Sequence, residues 1–364
     1  MKKYVFIIPI LFLQTSFCQT TQSFDLEKIY SNVLQGEMTK VLSLLDSVPD
    51  EAMTYQEKNL KQKFYRRFKY KDEIENYKVQ DTMLKNLLRI YRKYWQEVLC
   101  DKDNILRYDN DLKKEVVDFL TRNGFSREVG AEKRFSNSTD LENKFEEHLK
   151  DFLNQNGYYS ATGKTALFYD LLVWKTEVPV KYEVVLPESE VLTEVVFLED
   201  IISLGWQEYS TFERYYPGGW ATEELIYAVG KAYDTTSEKF KISYLKHEAQ
   251  HFADYKNYPL LSGADLEYRA KLTELIYAQE TFYDLINSFV KNASSEGRIP
   301  HPFANHILIR NLSNRIFGKE FISDIELWKT IPKEKIRKES RNLLLENSKR
   351  LQRKGGNTAV NFIN

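Results

Sequence analysis

Five consecutive residues, His247-Glu248-Ala249-Gln250-His251, carry the most readable chemistry in the chain. On a helix, positions i and i+4 are neighbours on one face, about 5 to 6 Å apart at Cβ. Two imidazoles so placed can converge on one metal ion lying roughly 2.0 to 2.1 Å from each nitrogen. Glu248 projects from the same turn, where a carboxylate reaches an activated water without becoming a ligand, the position of a general base. The pentad gathers two of the chain's 5 histidines. The alternative is a helix whose histidines merely satisfy local hydrogen bonds.

With the segment that follows it, Asp265-Leu266-Glu267-Tyr268-Arg269-Ala270-Lys271-Leu272, the pentad resembles the zincin metallopeptidases, in the arrangement called gluzincin. The resemblance covers roughly residues 220 to 280 at the level of a clan. It implies one Zn2+ per chain, held by His247, His251 and a glutamate on a following helix. Glu267 is the leading candidate for that glutamate, with Glu274, Asp254 and His301 as alternatives. Asp254 shares the helix face of both histidines and is better suited to orienting an imidazole, a role Glu274 could also take. One departure stands out: gluzincins often carry an acid four positions after the ligand glutamate, and here that position is Lys271.

Three protein ligands leave a fourth position open to water, which is the catalytic rather than the closed structural pattern. Zinc lowers the pKa of such a water from 15.7 to about 7, so Glu248 can take its proton and pass it to a leaving amine. The expected reaction is therefore peptide-bond hydrolysis on a peptide or protein substrate. An oxyanion donor is also needed; His301 is the catalytic candidate, with His306 a second, and an exposed or hydrogen-bonded histidine the ordinary reading of either. Zincins commonly line the cleft with an edge strand that pairs with extended substrate. Gly218, Gly219, Trp220 and Ala221 are the candidates for that wall, and an ordinary turn is the competing reading. The rival function is a non-catalytic cell-envelope binding or scaffold protein with a structural or vestigial zinc site, and hydrolysis of a non-peptide amide or ester is a third.

These residues require two helices to position them. Ile242, Leu245, Ala249 and Phe252 give the first an apolar face, Thr236 or Ser237 can cap it, and Pro259 marks its latest end. Asn257, Pro259, Ser262 and Gly263 supply a turn, after which Ser262 or Asp265 can cap the second. Upstream, Val180, Tyr182, Val184 and Leu186 alternate with polar residues, and residues 191 to 198 form a second β-rich run. Residues 165 to 174 and 225 to 233 read equally as strand or buried helix. The expected class is α+β: a helical N-terminal region, then a zincin-like domain with a small sheet and a metal-binding helix pair.

The domain boundaries expected are a signal peptide at 1–18, a helical region at 19–150, the metallopeptidase domain at 151–320 and a helical tail at 321–364. Residues 24 to 124 hold no glycine between Gly36 and Gly124, and the gap to the domain contains one short helix around Leu141 to Leu153. In the basic stretch from Lys333 to Lys354, Ile336, Leu344 and Leu351 can form one apolar stripe, fitting a solvated terminal helix better than an anionic-surface anchor. Lys2 and Lys3, an apolar run at 4 to 13 and Ser16-Phe17-Cys18 make the leader, so the chain is expected to be exported to the periplasm, the outer surface or the medium. The bulky Phe17 disfavours lipidation at Cys18. The mature chain should have no transmembrane segment. A formal net charge of −1, or −3 once Lys2 and Lys3 leave with the leader, gives no reason to expect nucleic acid as a partner.

Overall fold

The Leu-, Tyr-, Lys- and Glu-rich stretch that opens the chain folds into helices in the computed structural model, which describes residues 25–72, 79–125, 144–222, 225–297, 299–355 and 361–363. The expected leader and Cys18 lie outside the described residues. The first helices are α1 (Leu26–Leu34), α2 (Met38–Ser47), α3 (Tyr55–Phe64), α4 (Thr82–Cys100), α5 (Ile105–Arg122) and α6 (Phe145–Gln155). In α4, Leu84, Leu87, Leu88, Tyr91, Trp95 and Val98 recur at three- and four-residue spacing and are all buried. Asp81 begins that helix by accepting the Leu84 N–H at 3.0 Å.

Seven strands follow among the described residues: β1 (Tyr159–Thr165), β2 (Phe168–Trp174), β3 (Thr176–Val185), β4 (Glu190–Glu199), β5 (Ser203–Leu204), β6 (Gly219–Ala221) and β7 (Ile226–Val229). They form two small sheets, with order β1-β2-β5 and β3-β4-β7-β6. Of residues 165 to 174, Thr165 ends β1, 166 and 167 turn the chain, and Phe168–Trp174 is strand β2. A short helix, α7 (Gly205–Ser210), lies between β5 and β6, and the C-terminal part is helical: α8 (His247–Asn257), α9 (Gly263–Tyr277), α10 (Phe282–Lys291), α11 (Pro300–Phe317), α12 (Ile325–Lys329) and α13 (Lys333–Lys354). The fold is α+β.

Two compact units divide the chain. The first comprises α1 to α6, the hairpin β1–β2, β5 and α7, around a core that includes Phe64, Leu87, Trp95, Phe168 and Trp206. The second runs from Glu177 to Leu198 and from Gly218 onward, and its core includes Leu272, Phe282, Leu308, Trp328 and Leu344. The division falls after Thr176, not near residue 150, because β1 and β2 pack with the helices that precede them. Nor does the segment from 321 stand apart: Ile336, Leu344 and Leu351 of α13 are fully buried within the second unit. In that unit β4 and β7 run parallel, Val195 opposite Ile226, and β6 runs antiparallel to β7 with Gly219 opposite Ala228. No described helix is long and apolar enough to cross a membrane.

Candidate metal centre

Helix α8 is preceded by a π-helical run, Lys239–Lys246, which Ser237 caps by accepting the Phe240 N–H at 3.1 Å. Helix α9 starts at a capping box: Ser262 and Asp265 bond reciprocally to each other's backbone N–H. The turn at Tyr258 to Leu261 returns the chain, so α9 packs against α8. The sequence spacing therefore acquires a facing partner.

His247 and His251 are buried with ring centroids 4.6 Å apart. Glu267 faces them from α9, with Oε1 3.2 Å from His251 Nε2 and Oε2 3.5 Å from His247 Nε2. One ligand atom from each of the three lies within 4.8 Å of the others, so together they could hold a metal ion. Several buried atoms here lack a hydrogen-bond partner: Nε2 of His247, both ring nitrogens of His251 and both carboxylate oxygens of Glu248. Buried polar atoms left unsatisfied are costly, and a cation between the two Nε2 atoms would relieve much of that cost. Two imidazoles and a carboxylate form a donor set that suits zinc.

Glu274 completes the arrangement from the next level of α9, its Oε1 2.7 Å from His247 Nδ1. A carboxylate there holds the proton on Nδ1, so Nε2, which faces Glu267, is the nitrogen that would lose its proton to bind a metal. Burial lowers the pKa of His247, but Glu267 and Glu274 outweigh it and lift the imidazole to about 10. Burial raises that of Glu267, yet the charges of His301, His247 and Lys271 hold it well below the carboxylate range. Glu248 is fully buried, and that burial pushes its carboxyl up against the opposing pull of the two histidines.

The remaining expectations divide. Asp254 does not orient an imidazole: its oxygens accept from Gln250 Nε2 at 3.1 Å and from the buried Arg269 Nε at 2.8 Å. Helical spacing puts Asp254 on the histidine face, but Arg269 claims its charge. His301 joins the centre, Nδ1 2.8 Å from Glu267 Oε2, with its side chain 28% exposed. Its contact is with a candidate ligand, and burial lowers its pKa despite Glu267. His306 instead stacks on Phe321, centroids 5.2 Å apart. Gly218, Gly219, Trp220 and Ala221 are all buried, so in this structure they form no open cleft wall. Trp220 stacks on Tyr227, and a Cβ on Gly219 would collide with the Tyr227 carbonyl and the Tyr244 hydroxyl. That glycine is required by packing. β6 does form the end of its sheet and lies against α8.

Two features were not anticipated. Lys271 is buried, with its ammonium 3.5 Å from Glu267 Oε2 and 5.0 Å over the Phe289 ring. Arg269 ties Asp254 to Asn347 and Ser348 of α13, each at 2.8 Å, and to Glu188 in the β3–β4 turn. A signal was present: α9 carries Asp265 and Arg269 on one face and Glu267, Lys271 and Glu274 on the opposite one, and in the structure all residues from Asp265 to Ile276 are buried. Such a helix needs a buried polar partner at several positions. Comparisons with models of protein families, with curated proteins and with solved structures find no match.

Proposed function

We propose that this protein is an exported zinc-dependent peptidase whose metal is held by His247, His251 and Glu267. The observation that carries the reading is Glu248, a fully buried carboxylate with both oxygens unpartnered, one residue from a His-His-Glu cluster. A purely structural ion has no use for that group. Zinc in this site supplies a Lewis acid that polarises a scissile carbonyl and acidifies a water molecule.

Glu248 accepts the proton of the attacking water as its oxygen bonds to the carbonyl carbon, then delivers that proton to the amine nitrogen as the C–N bond breaks. Its upward-shifted carboxyl is suited to both halves of the transfer. Glu274 fixes the tautomer of His247. Lys271 holds Oε2 of Glu267 by charge, His301 Nδ1 meets the same oxygen as a hydrogen-bond donor, and Oε1 is left facing His251. His301 lies partly exposed beside the cluster, and with Nδ1 on Glu267 it can donate to a substrate oxygen only when its Nε2 is also protonated.

The test compares metal content and hydrolysis of a broad peptide library for the purified wild type, Glu267→Ala and Glu248→Gln. Wild type should hold about one zinc per chain and cleave; Glu267→Ala should lose most of the metal; Glu248→Gln should keep metal and fold while losing cleavage. Equal hydrolysis by wild type and Glu248→Gln sinks the mechanism. A zinc-loaded but inert wild type marks a structural site.

A further inference from the structure

A recess of about 430 Å3 opens in the second unit between α9, α11, α13 and the C-terminal residues Phe362 and Ile363, and no residue of the metal centre lines it. Hydrogen-bond donors dominate its polar wall. Arg269 can only donate, so its 2.8 Å bond to Asn347 commits that amide's oxygen and leaves its N–H groups to offer. The Tyr268 hydroxyl accepts the Asn311 amide N–H at 3.0 Å, which leaves its own proton free to donate. Arg350 on α13 brings a guanidinium group, lying over the Phe362 ring with its carbon 4.8 Å from the centroid. Among the described lining residues the one acid, Glu346, is paired with Arg315.

Such a wall brings a guanidinium, a hydroxyl proton and an amide N–H together, so its complement is an anion; guanidinium groups pair with carboxylates and phosphates through parallel N–H bonds. Ile307, Leu343 and Ile363 add apolar surface to the same recess. The wall is also fixed in place: Asp265 accepts the Phe362 and Ile363 N–H groups at 2.9 and 2.6 Å, pinning the chain end against the start of α9. We propose that this recess is a binding site for a small organic anion, a carboxylate or phosphate head with a short aliphatic arm. Its volume falls within the range of small-molecule sites. The proposal does not rest on the metal reading.

Calorimetric titration of the full mature chain, both metal-free and zinc-loaded, tests it with 4-methylpentanoate, acetate and inorganic phosphate. Saturable 1:1 binding of 4-methylpentanoate, at least tenfold tighter than acetate, supports a carboxylate with an aliphatic arm. Phosphate binding without carboxylate binding supports the same site with a phosphate head. Arg350→Gln should weaken binding about tenfold with unchanged circular dichroism, and Glu346→Gln should tighten it, because a competing carboxylate is gone. Failure of all three anions to saturate, or an affinity unchanged in Arg350→Gln, overturns the site. Since the metal-free chain is titrated, these outcomes are independent of zinc binding and hydrolysis.

Discussion

Glu274 and Asp254 look interchangeable by spacing, yet they have opposite consequences for the metal centre. Glu274 bonds to His247 Nδ1 and so sets which nitrogen faces a metal, whereas Asp254 neutralises a buried guanidinium. Glu274→Ala should weaken zinc affinity about 10- to 100-fold, read by competition with a chromophoric chelator, and should also destabilise the metal-free protein, because the buried His247 imidazole loses a carboxylate partner. Asp254→Ala should leave zinc affinity nearly unchanged. It leaves Arg269 buried without its nearest charge, and urea unfolding should report a loss of about 3 to 5 kcal/mol. Equal zinc affinities in wild type and Glu274→Ala would remove Glu274 from the site. The pentad was legible because i and i+4 spacing is a property of the helix itself. Glu267 was legible only through the resemblance, since nothing local ties it to histidines on the preceding helix. The role of Asp254 was misread because periodicity gives a side chain's direction and not the partner that arrives from another element. Lys271 and Arg269 were missed for the same reason.

Two elements hold the centre by contacts that single substitutions can test. Gly219 in β6 sits where a methyl group would strike both the Tyr227 carbonyl and the Tyr244 hydroxyl, next to the helix that carries the histidines. Gly219→Ala should cost about 1 to 3 kcal/mol by chemical denaturation, a cost that comes from overpacking and not from backbone angle. Glu238 binds the turn before α10, accepting the N–H groups of Gln279, Glu280 and Thr281 at 2.9 to 3.0 Å. Partial burial raises its pKa, but those three donors win and hold it near 2 against an ordinary 4.5. A depressed carboxylate stabilises the fold above the unfolded value and loses that contribution as pH falls through the folded one. Glu238→Gln should therefore cost about 1 kcal/mol at neutral pH, with the gap from wild type closing as pH drops from 4.5 toward 2. A gap that stays constant over that range would contradict the assignment. Capping chemistry made the starts of both site helices readable, Ser237 for the first and Ser262 with Asp265 for the second. The run at 218 to 221 was readable as edge strand but not as buried, because glycine signals close approach without saying whether a ligand or the protein's own backbone approaches.

The two units have separate cores and separate electrostatic liabilities, which makes their responses distinguishable in one experiment. In the first, Asp170 is buried in β2, its Oδ1 accepting the Leu171 and Trp206 N–H groups at 3.0 and 2.8 Å while Oδ2 has no partner. Burial pushes that carboxyl from 3.8 up to about 7. A raised carboxyl is a stabilising group only while protonated, so its contribution is full below the unfolded value and is lost as pH rises through about 7. The loss is roughly 4 kcal/mol at most. The side-chain amide introduced by Asp170→Asn keeps an acceptor for both N–H groups without the charge, so above pH 7 that variant should be the more stable protein. The second unit answers instead to the ion: bound zinc at a thousand times its Kd adds about 4 kcal/mol to whatever unfolds with the site. Differential scanning calorimetry at about pH 8 should therefore resolve two transitions, one raised by Asp170→Asn and indifferent to chelator, the other lowered by chelator and indifferent to Asp170→Asn. If both treatments move a single transition, the two cores unfold together. If chelator moves only the transition that Asp170→Asn also moves, the ion is not held by His247, His251 and Glu267, since all three belong to the other unit.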